Sequence, residues 1–458
     1  MLSITALAVF VLAAVAYQMG RSRAVSLAGA DLSSLHSRPS YHGLYCALWV
    51  LIVGLAVLLI LTIVTRSMLD GMLMSMISQA LPDSRPIERQ LILSDSYALA
   101  RGGIVSQTDA LRERVAEAAG SYGSMRVFGV IALTAVAVGV TYWRTNGQLA
   151  VEWRARNRSE RIILGILWTS AVIAILTTVG IVLSLVGETL VFFSKIDWQI
   201  FSYLFGTTWS PLSGVFEGKM DPTKVGAVPL FLGTFMITLI AMLVAVPIGL
   251  FAAIYLSDFA PKHVRAWAKP LLEILAGIPT VVYGFFAAIT VAPFIRGTGE
   301  SIGLSVASES ALAAGIVMGI MIIPFISSLS DDVINAVPQS LRDGSYGLGA
   351  TKAETMRLVV LPAALPGIVS AVLLGISRAV GETMIVVMAA GQGANLTLNP
   401  LDAVTTVTVQ IVALITGDTE ASTAAGPAFT LGFTLFVVTL GLNVVALRIV
   451  RRYRELYD

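Results

Sequence analysis

The stretch from Leu361 to Ala390 reads LPAALPGIVSAVLLGISRAVGETMIVVMAA and decides the fold class of this chain. It is long enough to cross about 30 Å of hydrocarbon as a helix, and Arg378 and Glu382 are its only charged residues. A charge at that depth is costly unless it has a partner or water. Because the two residues are four apart, a continuous helix places them about 6 Å apart along its axis, where they can form an ion pair. An intramembrane ion pair is a functional-site hypothesis.

The composition of the chain agrees with a membrane location. Of 458 residues, 56% are hydrophobic and 13% are charged, whereas soluble domains carry about 25% charged residues. We therefore predict an integral membrane protein surrounded by membrane lipid. The net charge of +2, without a dense basic cluster, gives no reason to expect nucleic acid as a partner. The single cysteine, Cys46, excludes an intrachain disulfide, and the spacing of His36, His42 and His263 does not suggest a metal site.

Nine apolar runs are long enough to cross a membrane as helices, which predicts an all-α polytopic membrane protein. These runs fall near residues 2–19, 44–65, 126–143, 162–187, 230–257, 271–295, 309–329, 363–391 and 428–449. The run 400–416 is shorter and more polar. We expect a re-entrant or lateral helix there rather than a span.

The charges between the runs predict the orientation. No basic residue precedes the first run, whereas Arg21 and Arg23 follow it, which favours an N-terminus outside the cytoplasm. With nine spans, the C-terminus is then cytoplasmic. The cytoplasmic segments hold eighteen Lys and Arg, counting Arg448 at the end of the last run, against four in the three outward loops after residue 187. Asp258, Glu188 and Glu273 lie at predicted span ends and are expected to be interfacial.

The spans form two predicted parts. Residues 1–160 carry three spans and an outward polar loop, 66–124, in which one or two short helices are expected. Residues 161–458 carry six spans and a long cytoplasmic loop, 330–362.

The cytoplasmic loop 330–362 predicts an elbow, meaning two short helices joined at a glycine. Pro338 suits a helix start, and the segment TKAETMRLVV after Gly349 is helical in pattern. A cytoplasmic elbow can dock into a groove on a soluble partner. An ordinary helix-turn-helix connector is the alternative.

The same loop carries the motif D-G-S-x3-G-x9-V-x-L-P, which resembles E-A-A-x3-G-x9-I-x-L-P of the permease subunits of binding-protein-dependent ABC importers. The matching positions are Asp343, Gly344, Ser345, Gly349, Leu361 and Pro362. The glycine spacing and the terminal Leu-Pro match, and the first three positions depart from the family pattern. The resemblance implies that these residues couple the permease to its ATPase.

Three further segments are similar to the PstC family of phosphate-importer permeases. They are GAVPLFLGTFMITLIAMLVAVPIGLFAAIYLSDFAP (226–261), LAGIPTVVYG (275–284) and LLGISRAVGETMIVV (373–387). This resemblance implies a six-helix ABC importer permease core in residues 161–458, preceded by about three extra transmembrane helices. The sister family PstA, or a permease for another oxyanion, is the alternative.

The resemblance also implies partners and a location. Such importers combine a second permease (PstA-like), an ATPase dimer (PstB-like) and a periplasmic phosphate-binding protein (PstS-like) in the bacterial inner membrane. This sequence has no G-x-x-x-x-G-K-[ST] loop. We therefore expect no cofactor on this chain, no catalytic residue, and ATP used by the partner ATPase.

The candidate residues for substrate translocation centre on the charged helix. Arg378 offers a planar guanidinium to an oxyanion, and Glu382 is expected to hold it in place and release it when substrate arrives. Small residues, Ala371 and Gly375, share their face and leave room for a neighbouring helix or a water-filled path. A static ion pair between helices is the alternative.

Three further polar residues are weaker candidates. Thr383 can reach the same cavity as Glu382. Thr280 and Tyr283 follow a Gly-Ile-Pro break, where a carbonyl freed by Pro279 is expected to line the path, unless the proline only bends the helix.

Two other functional classes remain open at this level. A membrane-embedded hydrolase or transferase would need a nucleophile with a base, or metal ligands, and no H-E-x-x-H or G-x-S-x-G pattern occurs. A passive anion channel would suit Arg378 but gives the cytoplasmic elbow no purpose.

Overall fold

The computed structural model of the protein describes residues 2–29, 32–82, 84–105, 108–211, 213, 221–417 and 421–454. Over these ranges the chain is built from α-helices, and β-pairing is limited to an isolated antiparallel bridge between Trp209 and Val225. The helices are α1 Leu2–Ala28, α2 Pro39–Ala80, α3 Pro86–Ala100, α4 Ala110–Gly147, α5 Ala155–Lys195, α6 Ile200–Phe205, α7 Val228–Ile254, α8 Lys262–Ala276, α9 Thr280–Phe286, α10 Ala292–Ser301, α11 Ala311–Asn335, α12 Gln339–Gly347, α13 Lys352–Thr355, α14 Leu361–Val380, α15 Met384–Ala389, α16 Val407–Thr416 and α17 Ala421–Arg454.

In the described part of the chain, nine helical segments are long and apolar enough to cross a membrane, as the sequence predicted. The predicted span 271–295 is interrupted at Gly277–Pro279, so α8 lies outside the membrane-spanning segment Thr280–Ser301. The run 400–416 contains only the ten-residue helix α16, too short to count as a span. The predicted basic C-terminal tail lies partly beyond the described residues.

The chain divides into two compact units, Met1–Leu176 and Thr177–Asp458, with the division inside α5. The first unit contains α1 to α4. Its long helices meet at Gly54 of α2, where an added Cβ would lie 2.7 Å from Val9 of α1 and 3.0 Å from Val138 of α4. The absence of a side chain at this position lets three helices approach closely.

The segment 66–124 differs from the predicted polar loop because most of it continues the long helices. α2 runs on to Ala80 and α4 begins at Ala110, with α3 between them. Leu69, Leu73 and Ile77, four residues apart on α2, bury one face against Ile92 of α3 and Val115 of α4. Apolar residues at this spacing form a helical stripe that is stabilised by packing rather than by the membrane.

The second unit packs around α7 and α11. Gly319 of α11 lies against α7, where an added Cβ would be 2.8 Å from Val244 and 2.9 Å from the Ala241 carbonyl. Gly249 of α7 lies equally close to Ile326 of α11. These glycines let the two helices pack backbone against backbone, and their shared face forms the largest buried apolar cluster of the described residues.

Two prolines within the spans follow π-helical turns. The turn Ala287–Val291 precedes Pro293, and the turn Met356–Val360 precedes Pro362. A proline lacks the N–H that its helix needs and its ring presses on the preceding turn, so a wider turn relieves the clash. α14 begins at Leu361 as predicted, but the chain is already helical from Lys352 and remains so to Val380.

Candidate functional site

Arg378 lies in the last turn of α14, and its side chain is exposed on the surface of the chain. Its Cζ lies 5.7 Å from the centroid of the Phe325 ring of α11, within range of a cation–π interaction. The ion pairs formed among the described residues do not include Arg378. The guanidinium therefore keeps its donors available to a further partner.

The position of Phe325 gives the depth of this guanidinium. Phe325 is fourteen residues from Ala311 and ten from Asn335, the two ends of α11. About 21 Å of helix therefore lies on one side of the aromatic ring and about 15 Å on the other. Arg378 is two residues from the end of α14, but its guanidinium lies level with the middle of α11.

The predicted ion pair between Arg378 and Glu382 is not formed, because the helix is not continuous. α14 ends at Val380 and α15 begins at Met384. Glu382 Oε1 instead accepts hydrogen bonds from the N–H groups of Met384 at 3.0 Å and Ile385 at 3.4 Å. A carboxylate at a helix N-terminus satisfies amide groups that the break leaves without partners. Glu382 therefore stabilises the helix break and does not bind the Arg378 guanidinium.

The small face of α14 is a packing face. Ala371 and Gly375 are buried, and an added Cβ at Gly375 would lie 3.3 Å from Ile326 of α11 and 3.4 Å from Met242 of α7. Of the two uses predicted for this face, a neighbouring helix or a water-filled path, the structure shows the first.

The second break, at Gly277–Pro279, is stabilised by Tyr283. Pro279 lacks the N–H that would reach the carbonyl of Leu275 four residues back. The Tyr283 hydroxyl donates to this carbonyl oxygen at 2.8 Å, and the Tyr283 side chain is buried. The carbonyl that was predicted to line a path therefore accepts a hydrogen bond from Tyr283. This bond positions α9 relative to α8.

The helices that follow the two breaks pack against each other. An added Cβ at Gly284 of α9 would lie 2.9 Å from the Met388 sulfur and 3.0 Å from the Met384 carbonyl of α15. Thr280 is the first residue of α9 and Thr383 is the N-cap of α15, and both are half-buried. The structure thus brings the two interrupted segments into one region, as required if Thr280 and Thr383 share a path.

α16 completes this region. Thr408 Oγ1 donates to the Glu382 carbonyl at 2.9 Å, and the Val407 N–H donates to Thr234 Oγ1 of α7 at 3.1 Å. Gln410 Nε2 donates to the Gln392 carbonyl at 2.7 Å. The short helix α16 therefore contacts the break at Glu382 through the Thr408 hydroxyl, and Gln410 ties it to the segment after α15. The composition of 400–416 signalled a non-spanning helix but not this contact.

The elbow predicted for the loop 330–362 is present. α12 ends at Gly347, Gly349 adopts φ = 88°, and α13 begins at Lys352. This left-handed conformation favours glycine over residues with a Cβ. The Ala350 N–H donates back to the Ser345 carbonyl at 3.2 Å, which closes the turn.

The motif residues of the elbow divide into an inner and an outer set. Ser345 is buried and shares a 2.8 Å hydrogen bond with the Thr355 hydroxyl, so it joins the two arms of the elbow. Asp343 and Gly344 are exposed, and Leu348 at the tip is 91% exposed. The outer set therefore presents an apolar tip beside a carboxylate.

Sequence reasoning missed the ion pair that anchors the elbow. Arg342 donates through one nitrogen to both carboxylate oxygens of Asp258, at 2.5 and 2.6 Å, and through the other to the Ile334 carbonyl at 2.9 Å. The two side chains are only 8% and 14% exposed. Asp258 follows α7, so the pair ties α12 to the end of a core span. The spacing of Arg342 and Ser345, three residues apart on one face of α12, could have indicated that Arg342 is buried.

A second charged cluster joins α8 to α11. Lys269 and Arg265 lie 3.0 and 3.4 Å from the buried carboxylate of Asp331. The hydrogen bond to Asp331 raises the pKa of Lys269. The cluster holds α8 against α11, although the helical run is interrupted at Gly277.

Comparison with known proteins matches two family models to the chain. Residues 6–177 match the family described as phosphate ATP-binding cassette transporter. Residues 245–455 match binding-protein-dependent transport system inner membrane component.

Several curated proteins are similar over about half of the chain. A probable ABC transporter permease protein, YqgH of Bacillus subtilis, is 36% identical over 52% of this chain and 73% of its own length. The phosphate transport system permease protein PstC of Mesorhizobium japonicum is 31% identical over 58% of this chain and 84% of its length. PstC of Xylella fastidiosa is 34% identical over 54% and 77%. The chain therefore belongs to the PstC family of phosphate transport system permease proteins.

Proposed function

We propose that this protein is the permease subunit of an ATP-driven phosphate importer and forms the translocation pathway together with a second permease. Membership of the PstC family supports the substrate class. The observation that carries the proposal is the exposed guanidinium of Arg378, which lies beside Phe325 at the level of the middle of the membrane-spanning helix α11.

An exposed guanidinium at this depth needs an environment that the chain alone does not supply. Facing hydrocarbon, it would cost several kcal/mol. The surface around Arg378 is therefore covered by a second permease, by water, or by both. In such a gap the planar guanidinium offers two parallel donors to a phosphate oxyanion, and no carboxylate of the described residues competes for them.

The neighbouring residues take roles that follow from their contacts. Thr280 and Thr383, at the starts of α9 and α15, line the same gap as Arg378. Glu382 and Tyr283 are positioning residues, because their polar atoms hold the two breaks. The helical run is interrupted before α9 and again before α15. These two short helices can therefore move as a pair without unfolding the longer helices.

The elbow is proposed as the contact with the ATPase. Its outer residues Asp343, Gly344 and Leu348 are exposed on the predicted cytoplasmic face, and an apolar tip suits a groove on a soluble partner. The expected complex contains a PstA-like permease, a PstB-like ATPase dimer that uses the ATP, and a periplasmic PstS-like phosphate-binding protein. In the proposed orientation, the N-terminus is outside and the C-terminus is in the cytoplasm.

The test is uptake of radiolabelled phosphate by the reconstituted complex carrying Arg378→Ala. We expect uptake to fall to background while assembly with the second permease and the ATPase is retained. Arg378→Lys keeps the charge but not the paired donors and should restore only part of the rate. Arg161→Ala, at an exposed arginine at the start of α5, is the matched control. Normal uptake by Arg378→Ala would refute the role of Arg378.

Two further measurements separate the alternatives. Phosphate entry without ATP would favour the passive channel. Competition by sulfate, arsenate and phosphonates distinguishes phosphate from other oxyanions, because a single arginine does not define the geometry of its ligand.

Leu348→Asp tests the elbow contact separately. Leu348 is 91% exposed, so the substitution should leave the permease folded. A charge in an apolar groove should weaken co-purification of the ATPase and lower uptake. Unchanged co-purification and uptake would remove Leu348 from the contact.

A further inference from the structure

The first unit contains a polar cavity between α2, α3 and α4, outside every site described above. Its volume is about 480 Å³, and Arg66 of α2, Arg101 at the end of α3 and Arg126 of α4 all line it. No aspartate or glutamate is among its lining residues. Three cations drawn from three helices repel one another, so their convergence on one cavity indicates an anionic occupant.

Two observations show that the described residues do not neutralise the three charges. Asp70, the neighbouring acid, lies 3.9 Å from Arg66 and accepts a 2.5 Å hydrogen bond from the Tyr97 hydroxyl. It can offset one positive charge at most. Arg126 Nε is buried and has no hydrogen-bond partner among the described residues. An arginine donor left in this state is costly, and an oxyanion in the cavity would satisfy it.

The floor of the cavity is shaped by glycine. Gly120 and Gly123 of α4 line it, and an added Cβ at either position would meet no atom within 4 Å. Glycine inside a helix costs about 1 kcal/mol relative to alanine. The two glycines leave this side of the cavity without side chains.

The cavity lies where a membrane surface is expected. The apolar run of α2 ends at residue 65, next to Arg66, and the apolar run of α4 begins at residue 126 with Arg126 itself. The arginines therefore surround the depth at which the hydrocarbon ends and phosphate groups of lipids begin. The same depth is open to inorganic phosphate from the aqueous side.

We propose that the cavity lined by Arg66, Arg101 and Arg126 is a binding site for a phosphate group. Guanidinium donors match phosphate oxygens in paired geometry, and three of them suit a doubly charged group. The ligand is either inorganic phosphate or the headgroup of an anionic phospholipid. The site belongs to the first unit and does not depend on the translocation role of Arg378.

The experiment uses the full complex in detergent, without the periplasmic binding protein. The combined variant Arg66→Gln, Arg101→Gln and Arg126→Gln is compared with Arg114→Gln, an exposed arginine of α4 outside the cavity. Bound phosphatidylglycerol is counted by native mass spectrometry, and inorganic phosphate binding by equilibrium dialysis. We expect the combined variant to lose one ligand per chain and each single variant to bind about tenfold more weakly.

Gly123→Leu separates a built cavity from general surface charge. It keeps all three arginines and fills the space above Gly123, so binding should again be lost. The ligand that disappears in both variants identifies the source of the phosphate group. The proposal is overturned if neither ligand is lost in the combined variant, or if Gly123→Leu binds both as the wild type does.

Discussion

Asp258→Asn tests how the elbow is held to the core. Asp258 and Arg342 form an ion pair in which one guanidinium nitrogen contacts both carboxylate oxygens, and the side chains are 14% and 8% exposed. The amide keeps one oxygen but turns an N–H donor toward the guanidinium, and it leaves Arg342 buried without a counter-charge. Breaking a buried pair from one side costs about 3–5 kcal/mol. Because the pair joins α12 to the end of α7, most of that cost should appear as local opening of the elbow.

The magnitude can be read by hydrogen exchange of the assembled complex. A loss of about 3 kcal/mol corresponds to roughly a hundredfold faster exchange for amides of residues 339–355. Exchange in α11 should change far less. We also expect ATP hydrolysis to continue while phosphate uptake falls, because a loosened elbow transmits less motion.

Asp332→Asn is the matched control for Asp258→Asn. Asp332 lies 3.6 Å from Lys269, but its side chain is 65% exposed. Such a pair contributes at most about 1 kcal/mol, so exchange and uptake should stay close to wild type. If Asp258→Asn left elbow exchange and uptake as little changed as Asp332→Asn does, the anchoring role of the pair would be refuted.

Three further substitutions examine the breaks and the helix contact. Tyr283→Phe removes the donor at the proline break and should lower the stability of the complex by about 1 kcal/mol; an unchanged melting temperature would contradict this. Glu382→Ala removes the acceptor for two N–H groups and should cost about 1 kcal/mol, whereas Glu382→Gln keeps an acceptor; equal losses in the two would argue against capping. Gly319→Ala places a Cβ 2.8 Å from Val244 and should destabilise by about 1–3 kcal/mol, whereas Gly441→Ala meets open space and should be neutral in the same thermal assay.

The features that the sequence predicted correctly are those with a strong local signal. Nine apolar runs became nine membrane-spanning segments of the described chain, because length and hydrophobicity alone determine such segments. The elbow followed from the spacing of Pro338 and Gly349, where the backbone itself demands a helix start and a left-handed turn.

The features that were missed depend on contacts between distant segments. Helical spacing paired Arg378 with Glu382, but the chain breaks between them because Glu382 can cap α15 and Thr408 can hold the break. The partner of Arg342 lies 84 residues away at Asp258. The periodicity of the sequence does not indicate such a pairing. Taken alone, Asp258 and Arg342 each resemble an ordinary charged residue at the end of a span.

One uninterrupted helix runs from Lys352 to Val380 and connects the elbow to the Arg378 guanidinium. About 39 Å of helix separates Lys352 from Arg378, so a tilt of about 5° at the cytoplasmic end would move the far end by about 3 Å. That displacement equals the length of a hydrogen bond and is enough to form or release a contact with an anion. The π-helical turn Met356–Val360 is the point at which this helix bends most easily. In the proposed complex, the stiffness of this turn would set how much of the ATPase movement reaches Arg378.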